Sequence, residues 1–312
     1  MDCADGESVL DALERHGVPH GASCRTGACQ SCLIKVTEGA VPPQAQAGLK
    51  DTWKAAGLAL ACQLRPQAPL QLAEPAGVVG QVQAVVRSKA RLSDSVVRLR
   101  LRPQGEFSYQ PGQFVHLQRG DGLTRAYSLA SVGQEALELH VRVVPGGQMS
   151  QWIAQTLGEG DEVSLRGPSG ECFYVDSNPA EPLVMVAVGT GLAPLWGIAR
   201  EALRQGHHGS VSLYHAGLDV ERLYMADELA SFALLHGKGI SVHRCVLNGP
   251  APGCRQGDVL DLLKADGHPW KDARVYLCGD PTMVKRLKKQ CFLMGASLSR
   301  IHADAFEHTP AS

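Results

Sequence analysis

Neither sign of charge is in excess: 30 Lys and Arg face 31 Asp and Glu, leaving a formal charge of -1. Such a balance supplies no general attraction to nucleic acid or to an anionic membrane surface. Long hydrophobic runs are also missing. The longest nearly apolar stretch, residues 183–188 continued through a glycine-broken segment to 198, is too short and too interrupted for a membrane span. The opening MDCADGESVLDALERHG carries acidic residues where a secretory signal needs basic ones, and Asp11 interrupts its apolar patch. No segment repeats at solenoid spacing, and the 34 glycines and 18 prolines follow no fibrous period. The expectation is a cytoplasmic chain, monomeric, with no nucleic-acid partner and no membrane insertion.

What is present divides into three patterns, in keeping with roughly 100 to 200 residues per domain for a chain of 312. In the first, residues 1–74, ESVLDALERH places Val9, Leu10 and Leu13 on one side of a short helix. A cysteine-bearing loop follows, SCLIKV begins a strand, and the apolar segment 55–64 brings Cys62 back toward the loop. In the second, residues 77–176, short β-like runs such as VVGQVQAVV, SVVRLRL, RAYSLAS, ALELHVRVV and DEVSLRG are separated by RPQGE, RGDG and VPGG, the pattern of an antiparallel barrel. In the third, residues 179–312, strands such as PLVMVAV and DARVYLC alternate with helices such as LAPLWGIAREALRQG, the sequence form of a mostly parallel α/β sheet.

Of the 10 cysteines, Cys24, Cys29, Cys32 and Cys62 gather in the first fifth of the chain and the others are scattered, which is unlike a disulfide framework. Their spacing, C-x4-C-x2-C followed at a distance by a fourth Cys, is that of plant-type [2Fe-2S] ligands. Small residues in CRTGACQSC let the loop curl around a cluster, and four soft thiolates suit two tetrahedral irons. The unequal first step disfavours structural zinc. Cys3, Cys172, Cys245, Cys254 and Cys291 read as ordinary thiols. Cys278 differs, because it ends a strand directly before Gly279, where ligands of α/β sheets bind.

Three further motifs carry chemistry. Arg125-Ala126-Tyr127-Ser128 reads by itself as half-buried strand. HVRVVPGGQMS places His140, Val141, Arg142 and Val143 on a strand and Gly147, Gln148, Met149 and Ser150 at a turn into a helix, with Ser150 as its cap. Gly189-Thr190-Gly191-Leu192-Ala193-Pro194 follows a strand and opens a helix, the setting of a phosphate-binding turn, although it is not a G-x-G-x-x-G fingerprint.

With these motifs in this order, the chain resembles the [2Fe-2S] ferredoxin and flavin reductases that supply electrons to bacterial ring-hydroxylating oxygenases and multicomponent monooxygenases. The resemblance covers nearly all 312 residues. It implies a plant-type ferredoxin β-grasp, a flavin-binding antiparallel β-barrel and a C-terminal α/β nucleotide-binding domain. Residues 3–10 match the family's F-x-C-x-x-G-E-S-V-L only in part, so a shortened β-grasp lacking its first strand and much of its second is expected. By resemblance, Arg125 pairs with flavin phosphate, Tyr127 packs on the isoalloxazine, Ser128 sits near N5, and GGQMS faces a pyrophosphate, favouring FAD over FMN.

The same resemblance makes Gly189 to Pro194 the NAD(P)H pyrophosphate turn. It matches Cys278-Gly279-Asp280-Pro281-Thr282-Met283 to C-G-x-P-x-M, with Cys278 near the nicotinamide and Asp280 in place of the commoner proline. The tail Ile301-His302-Ala303-Asp304-Ala305-Phe306 resembles I-x-x-E-x-F: Phe306 would cover the flavin and Asp304 stand for the family's Glu, unless this is a fraying acidic tail. YHAGLD at 214–219 supplies no immediate basic residue, so NADH is preferred to NADPH, with His215 and Arg222 the side chains that could approach a 2′-phosphate. The implied function is electron transfer from NADH through FAD and a [2Fe-2S] cluster to an iron-containing oxygenase component, docked near Arg25, Thr26 and Gln30. The alternatives are a reductase for a non-oxygenase iron-dependent enzyme and a redox-sensing adaptor.

Overall fold

The computed structural model describes residues 2–4, 6–18, 20, 25, 27, 32–49, 51–73, 80–133 and 135–306. The chain forms two compact units, residues 1–78 and 79–312.

In the first unit, helix α1 (Val9–Arg15) starts where the Ser8 hydroxyl accepts the Asp11 amide at 3.2 Å, an N-cap that satisfies a donor the helix itself leaves open. Its buried face is Val9, Leu10, Ala12 and Leu13, the stripe read from the sequence. The amides of Val9 and Leu10 donate to the carbonyls of Leu64 and Ala61, fastening the helix start to the segment around Cys62. Strand β1 (Leu33–Glu38), helix α2 (Asp51–Ala55), and strands β2 (Leu58–Leu60) and β3 (Gln71–Ala73) follow. β1 lies between β2 and β3 in an antiparallel sheet, and Ile34, Val36, Leu49, Leu60 and Leu64 close the core against α1.

The second unit opens with β4 (Gly80–Ser93), β5 (Val96–Pro103), β6 (Phe114–Gln118), β7 (Thr124–Ser128), β8 (Leu137–Arg142), helix α3 (Gln148–Gln155) and β9 (Glu162–Ser169). The strand order is β7-β6-β9-β4-β5-β8, and a bridge between Leu129 and Leu139 joins the two edges into a barrel. Leu99, Leu101, Val115, Leu117, Leu139 and Leu165 fill the interior, and Met149 and Ile153 of α3 plug one end. The Lys89 ammonium donates to the carbonyls of Ile153, Ala154 and Leu157, placing a cation on the negative end of α3.

The remaining elements are β10 (Leu183–Val188), α4 (Leu192–Arg204), β11 (Val211–Gly217), α5 (Ala226–His236), β12 (Ile240–Val246), β13 (Arg255–Gln256), α6 (Val259–Asp266), β14 (Arg274–Gly279), α7 (Pro281–Leu293) and β15 (Ile301–Ala305). They build an all-parallel sheet of order β13-β12-β11-β10-β14-β15. The order runs outward from β10 in one direction and resumes with β14 on its other side. β10 and β14 therefore flank the topological switch point, where open α/β sheets bind ligands. The tail is no fraying segment: residues 301–305 form β15 on β14, because Ile301 and His302 are fully buried there. Barrel and sheet share one core, in which Val96, Cys172 and Tyr174 pack with Leu195, Ile198 and Tyr276. Among the described residues no helix is long and apolar enough to cross a membrane.

Leu139 lies at the barrel's closure and is fully buried. Leu139→Ala is expected to cost about 2 to 5 kcal/mol, read as a lower urea midpoint; a loss under about 1 kcal/mol would show that closure does not depend on this packing.

Candidate redox and nucleotide site

The described cysteines of the cluster motif converge. Cys32 and Cys62 are buried, their sulfurs lie 3.3 Å apart, and the Ala61 amide donates to the Cys32 carbonyl. That separation is too long for a disulfide, and both are free thiols. Burial pushes the Cys32 thiol up from its ordinary range, a bias that a bound cation reverses. Gln63 extends its amide to the Cys62 sulfur at 3.5 Å and to the Arg25 carbonyl at 3.0 Å. Cys24 and Cys29, with Thr26 and Gln30 of the expected docking patch, lie outside the described residues. Arg25 is ion-paired with Asp11 and Glu14. Two converging buried thiols of a four-thiol motif fit a [2Fe-2S] cluster.

In the second unit the flavin motif occupies β7, where Arg125 and Tyr127 share one face and Ala126 and Ser128 the other. The Arg125 guanidinium rests on the Thr124 carbonyl, and Tyr127 packs against the barrel core, its hydroxyl pushed up by burial. Ser128 reaches out of the barrel and donates to Asp304 of β15 at 3.2 Å. Asp304 is the partner of Cys278 across β14 and β15, and burial lifts its carboxyl to about 6 although Ser128 pulls it down. The ladder continues one step further, with the Phe306 amide donating to the Gly279 carbonyl. Ser128, Cys278 and the Asp304–Phe306 segment, which come from three distant stretches of sequence, thus meet beside the switch point.

Cys278 is fully buried, its thiol pushed up by desolvation, and its sulfur lies 3.7 Å from that of Cys172. No spacing in the sequence pairs these two thiols, and Cys172 reads there as an ordinary one. Gly189–Gly191 forms a tight turn between β10 and α4, and Ala193 and Pro194 are buried in the first turn of that helix. A Cβ on Gly191 would lie 2.0 Å from the Cys278 carbonyl oxygen, so only glycine lets the two strand ends approach.

The structure revises several local expectations. Helix α3 begins at Gln148 with Gly147 as its N-cap residue. Ser150 is not the cap: its hydroxyl accepts the Val144 amide and donates to the Gly147 carbonyl, because it sits one turn inside the helix and faces back across the loop. Met149 is core, Gln148 and Arg142 are exposed, Val141 is buried and Val143 half-buried. His140 is buried, with Glu138 and Tyr224 at its two ring nitrogens. Asp280 accepts the Met283 amide as N-cap of α7, with Pro281 at the first helical position, a pairing that favours helix initiation. His215 is fully buried and bonded to the Gly189 carbonyl, so neither of its ring nitrogens is open to a 2′-phosphate.

Comparison with known proteins now bears on the chain. Residues 1–67 match the 2Fe-2S iron-sulfur cluster binding domain, 83–174 the oxidoreductase FAD-binding domain and 185–289 the oxidoreductase NAD-binding domain. The aromatic O-demethylase reductase subunit of Amycolatopsis is 35% identical over 100% of this chain and 97% of its own. The ferredoxin--NAD(P)(+) reductase component of the naphthalene 1,2-dioxygenase system of Pseudomonas putida is 31% identical over 96% and 94%. The chain belongs to the family of oxygenase reductase components. This reductase carries the domains for a [2Fe-2S] cluster, FAD and NAD(H). Its fold is that of the crystal structure of an Amycolatopsis cytochrome P450 reductase, 34% identical, with a TM-score of 0.71 over 100% of this chain and 97% of the other.

The Asp304 carboxyl gives a pH test. Its folded value near 6 exceeds the ordinary 3.8, so between those values the folded state holds more protons than the unfolded one. Stability must then fall as pH rises through this window. Relative to Asp304→Asn, the reductase is expected to lose at most about 3 kcal/mol between pH 4 and pH 6.5, then run parallel to the variant. Urea midpoints across that range check it, and parallel curves throughout would place the carboxyl in water.

Proposed function

We propose that this reductase takes a hydride from NADH and delivers electrons one at a time to an iron-containing oxygenase component, with the domains at 1–74, 77–176 and 179–312. The observation that carries this reading is the meeting of Ser128, Asp304 and Cys278 at the switch point beside the glycine turn. When bound, FAD accepts an electron pair and releases single electrons, and the cluster serves as the one-electron exit.

The protein's own residues supply positioning and proton handling. The N-terminal end of α4, where the Thr190 and Gly191 amides lead into the helix, holds the pyrophosphate of the nucleotide, and Gly191 lets that turn lie against the end of β14. Cys278 and Gly279 floor the place where the nicotinamide would enter, and its burial keeps water from the transferring face. Arg125 supplies a planar fork for flavin phosphate, with Tyr127 beside it for the ring. Ser128 and Asp304 form a hydroxyl and carboxyl pair able to hold a proton at the Ser128 Oγ. Phe306, continuing the β15 ladder, covers the ring face, and Arg142 and Val143 with Gly147 and Gln148, the members of that motif not committed to the core, line the remaining edge.

NADH is favoured over NADPH because the β11 end presents Asp219, whose carboxylate caps the following turn and disfavours a 2′-phosphate. The oxygenase partner is argued from the relatives, which serve a dioxygenase system and an aromatic O-demethylase. The balanced charge, with no membrane-length helix among the described residues, supports a cytoplasmic setting.

Anaerobic titration with NADH, with absorbance of both chromophores and iron measured on one sample, tests the path. Bleaching of flavin and cluster at about two irons per chain is expected; flavin reduction without iron would remove the exit. Cys62→Ser is expected to abolish the cluster signal while NADH still reduces the flavin. NADH is expected to exceed NADPH in kcat/KM by at least about tenfold, and equal values would overturn the assignment at Asp219.

A further inference from the structure

A second chain of contacts runs from the barrel into the nucleotide turn, and nothing in the mechanism above uses it. It begins at Glu138 of β8, which is held ionised by His140 and by Arg98 and Arg100 despite its burial, its carboxyl lowered to about 2. An ionised carboxylate only accepts, so the His140 Nε2–H donates to it at 3.0 Å. That leaves Nδ1 of His140 as an acceptor, and the Tyr224 hydroxyl donates to it at 3.0 Å. Tyr224 is buried ahead of α5, next to Met225, whose backbone is left-handed at φ +60°. The Tyr224 ring packs edge-on against His215, with centroids 5.2 Å apart and planes at 88°.

His215 closes the chain. Its Nε2 lies 3.1 Å from the Gly189 carbonyl oxygen; a carbonyl cannot donate, so this nitrogen carries the proton. Nδ1 is then an acceptor, buried and without a hydrogen-bond partner among the described residues. Burial holds the imidazole neutral, at about 3. A fully buried ring with one unsatisfied nitrogen is a cost, and what the fold retains in exchange is a donor on one backbone oxygen. The same oxygen already accepts the Leu192 amide, so His215 takes its second lone pair. Gly189 has φ +57° and no side chain to fix the following peptide plane by packing.

In a planar trans peptide the C=O and the next N–H point in opposite directions. Holding the Gly189 oxygen toward β11 therefore directs the Thr190 N–H away from it, off the N-terminal end of α4, where first-turn amides have no intrahelical partner. We propose that His215 is a positioning residue for the nicotinamide nucleotide: it locks the Gly189–Thr190 peptide with the Thr190 N–H aimed at the pyrophosphate, while Tyr224 and His140 hold its ring in register with the flavin barrel. The inference rests on the reading of residues 189–194 as the pyrophosphate turn.

The test uses the full chain with FAD and cluster bound, ferricyanide as acceptor, and KM for NADH measured apart from kcat. His215→Leu removes the donor and keeps an apolar side chain; KM is expected to rise about tenfold with kcat changed less than about twofold, the pattern of lost uniform binding. His215→Gln places an amide donor near the Nε2 position and is expected to recover most of that loss. An unchanged KM in the Leu variant overturns the proposal, and so does a Gln variant as impaired as Leu, since packing alone would then be at work. If Leu loses its FAD, the comparison passes to Gln against His215→Asn, whose donor stops one bond short; equal KM values overturn the proposal. Thr190→Pro deletes the aimed N–H itself. If that variant binds NADH normally, the pyrophosphate reading fails; if it is impaired while His215→Leu is not, only the role of His215 fails.

Discussion

The backbone of β10 and the backbone of β14 approach each other more closely at their carboxyl ends than any side chain would allow. Where Gly191 stands, a methyl group would sit 2.0 Å from the carbonyl oxygen of Cys278. This contact ties the glycine turn to the strand that ends in the buried thiol, and it fixes the geometry of everything nearby. β15 lies on the far side of β14 and brings Asp304 level with Cys278. Ser128 then reaches Asp304 from the barrel. One close approach at the switch point thus gathers a turn, a thiol, a carboxyl and a hydroxyl from four separate stretches of chain.

The barrel can take part because it is not an independent body beside the sheet. Val96, Cys172 and Tyr174 pack into the core of the α/β elements, and Gly197 of α4 lies under the Leu129 and Ala130 carbonyls, where a Cβ would come within 3.0 Å. Apolar packing of this density transmits position but does not set the orientation of a peptide or a ring. The polar line from Glu138 through His140 to Tyr224 adds that directionality, because each hydrogen bond has one donor and one acceptor and so fixes one ring face against the next. Burying these groups is tolerable where they satisfy one another.

The first unit uses a different economy. Among the described residues its sheet has three short strands, and its core depends on α1 being fastened at Val9 and Leu10 to the residues flanking Cys62. The same tie that closes the core holds Cys62 beside Cys32. A small domain with little apolar area gains from such a coupling, and metal binding to converged thiolates adds to folding stability in the same place.

Much of this was legible in the residues themselves. Spacing carries the cysteine motif, because three of its four thiols share one short loop and the fourth returns to it at a distance, while period-2 strands mark the barrel and fully apolar strands alternating with period-3.6 helices mark the α/β sheet. The pairing of Cys172 with Cys278, the Ser128 contact to Asp304 and the seat of His215 on Gly189 were not legible, since each joins residues from different elements with no fixed interval between them. The tail shows the same division: IHADAF carries a family-like motif, yet its being a strand depends on β14 offering an open edge. Ser150 differs from expectation for a related reason. Whether a polar side chain caps a helix or braces a loop depends on where the first turn begins, and packing decides that. The sequence alone determined the three successive patterns and their cofactor motifs through local periodicity and spacing; the tertiary structure alone decided which buried polar atoms meet, because hydrogen bonds between distant elements exist only after the apolar cores have set their register.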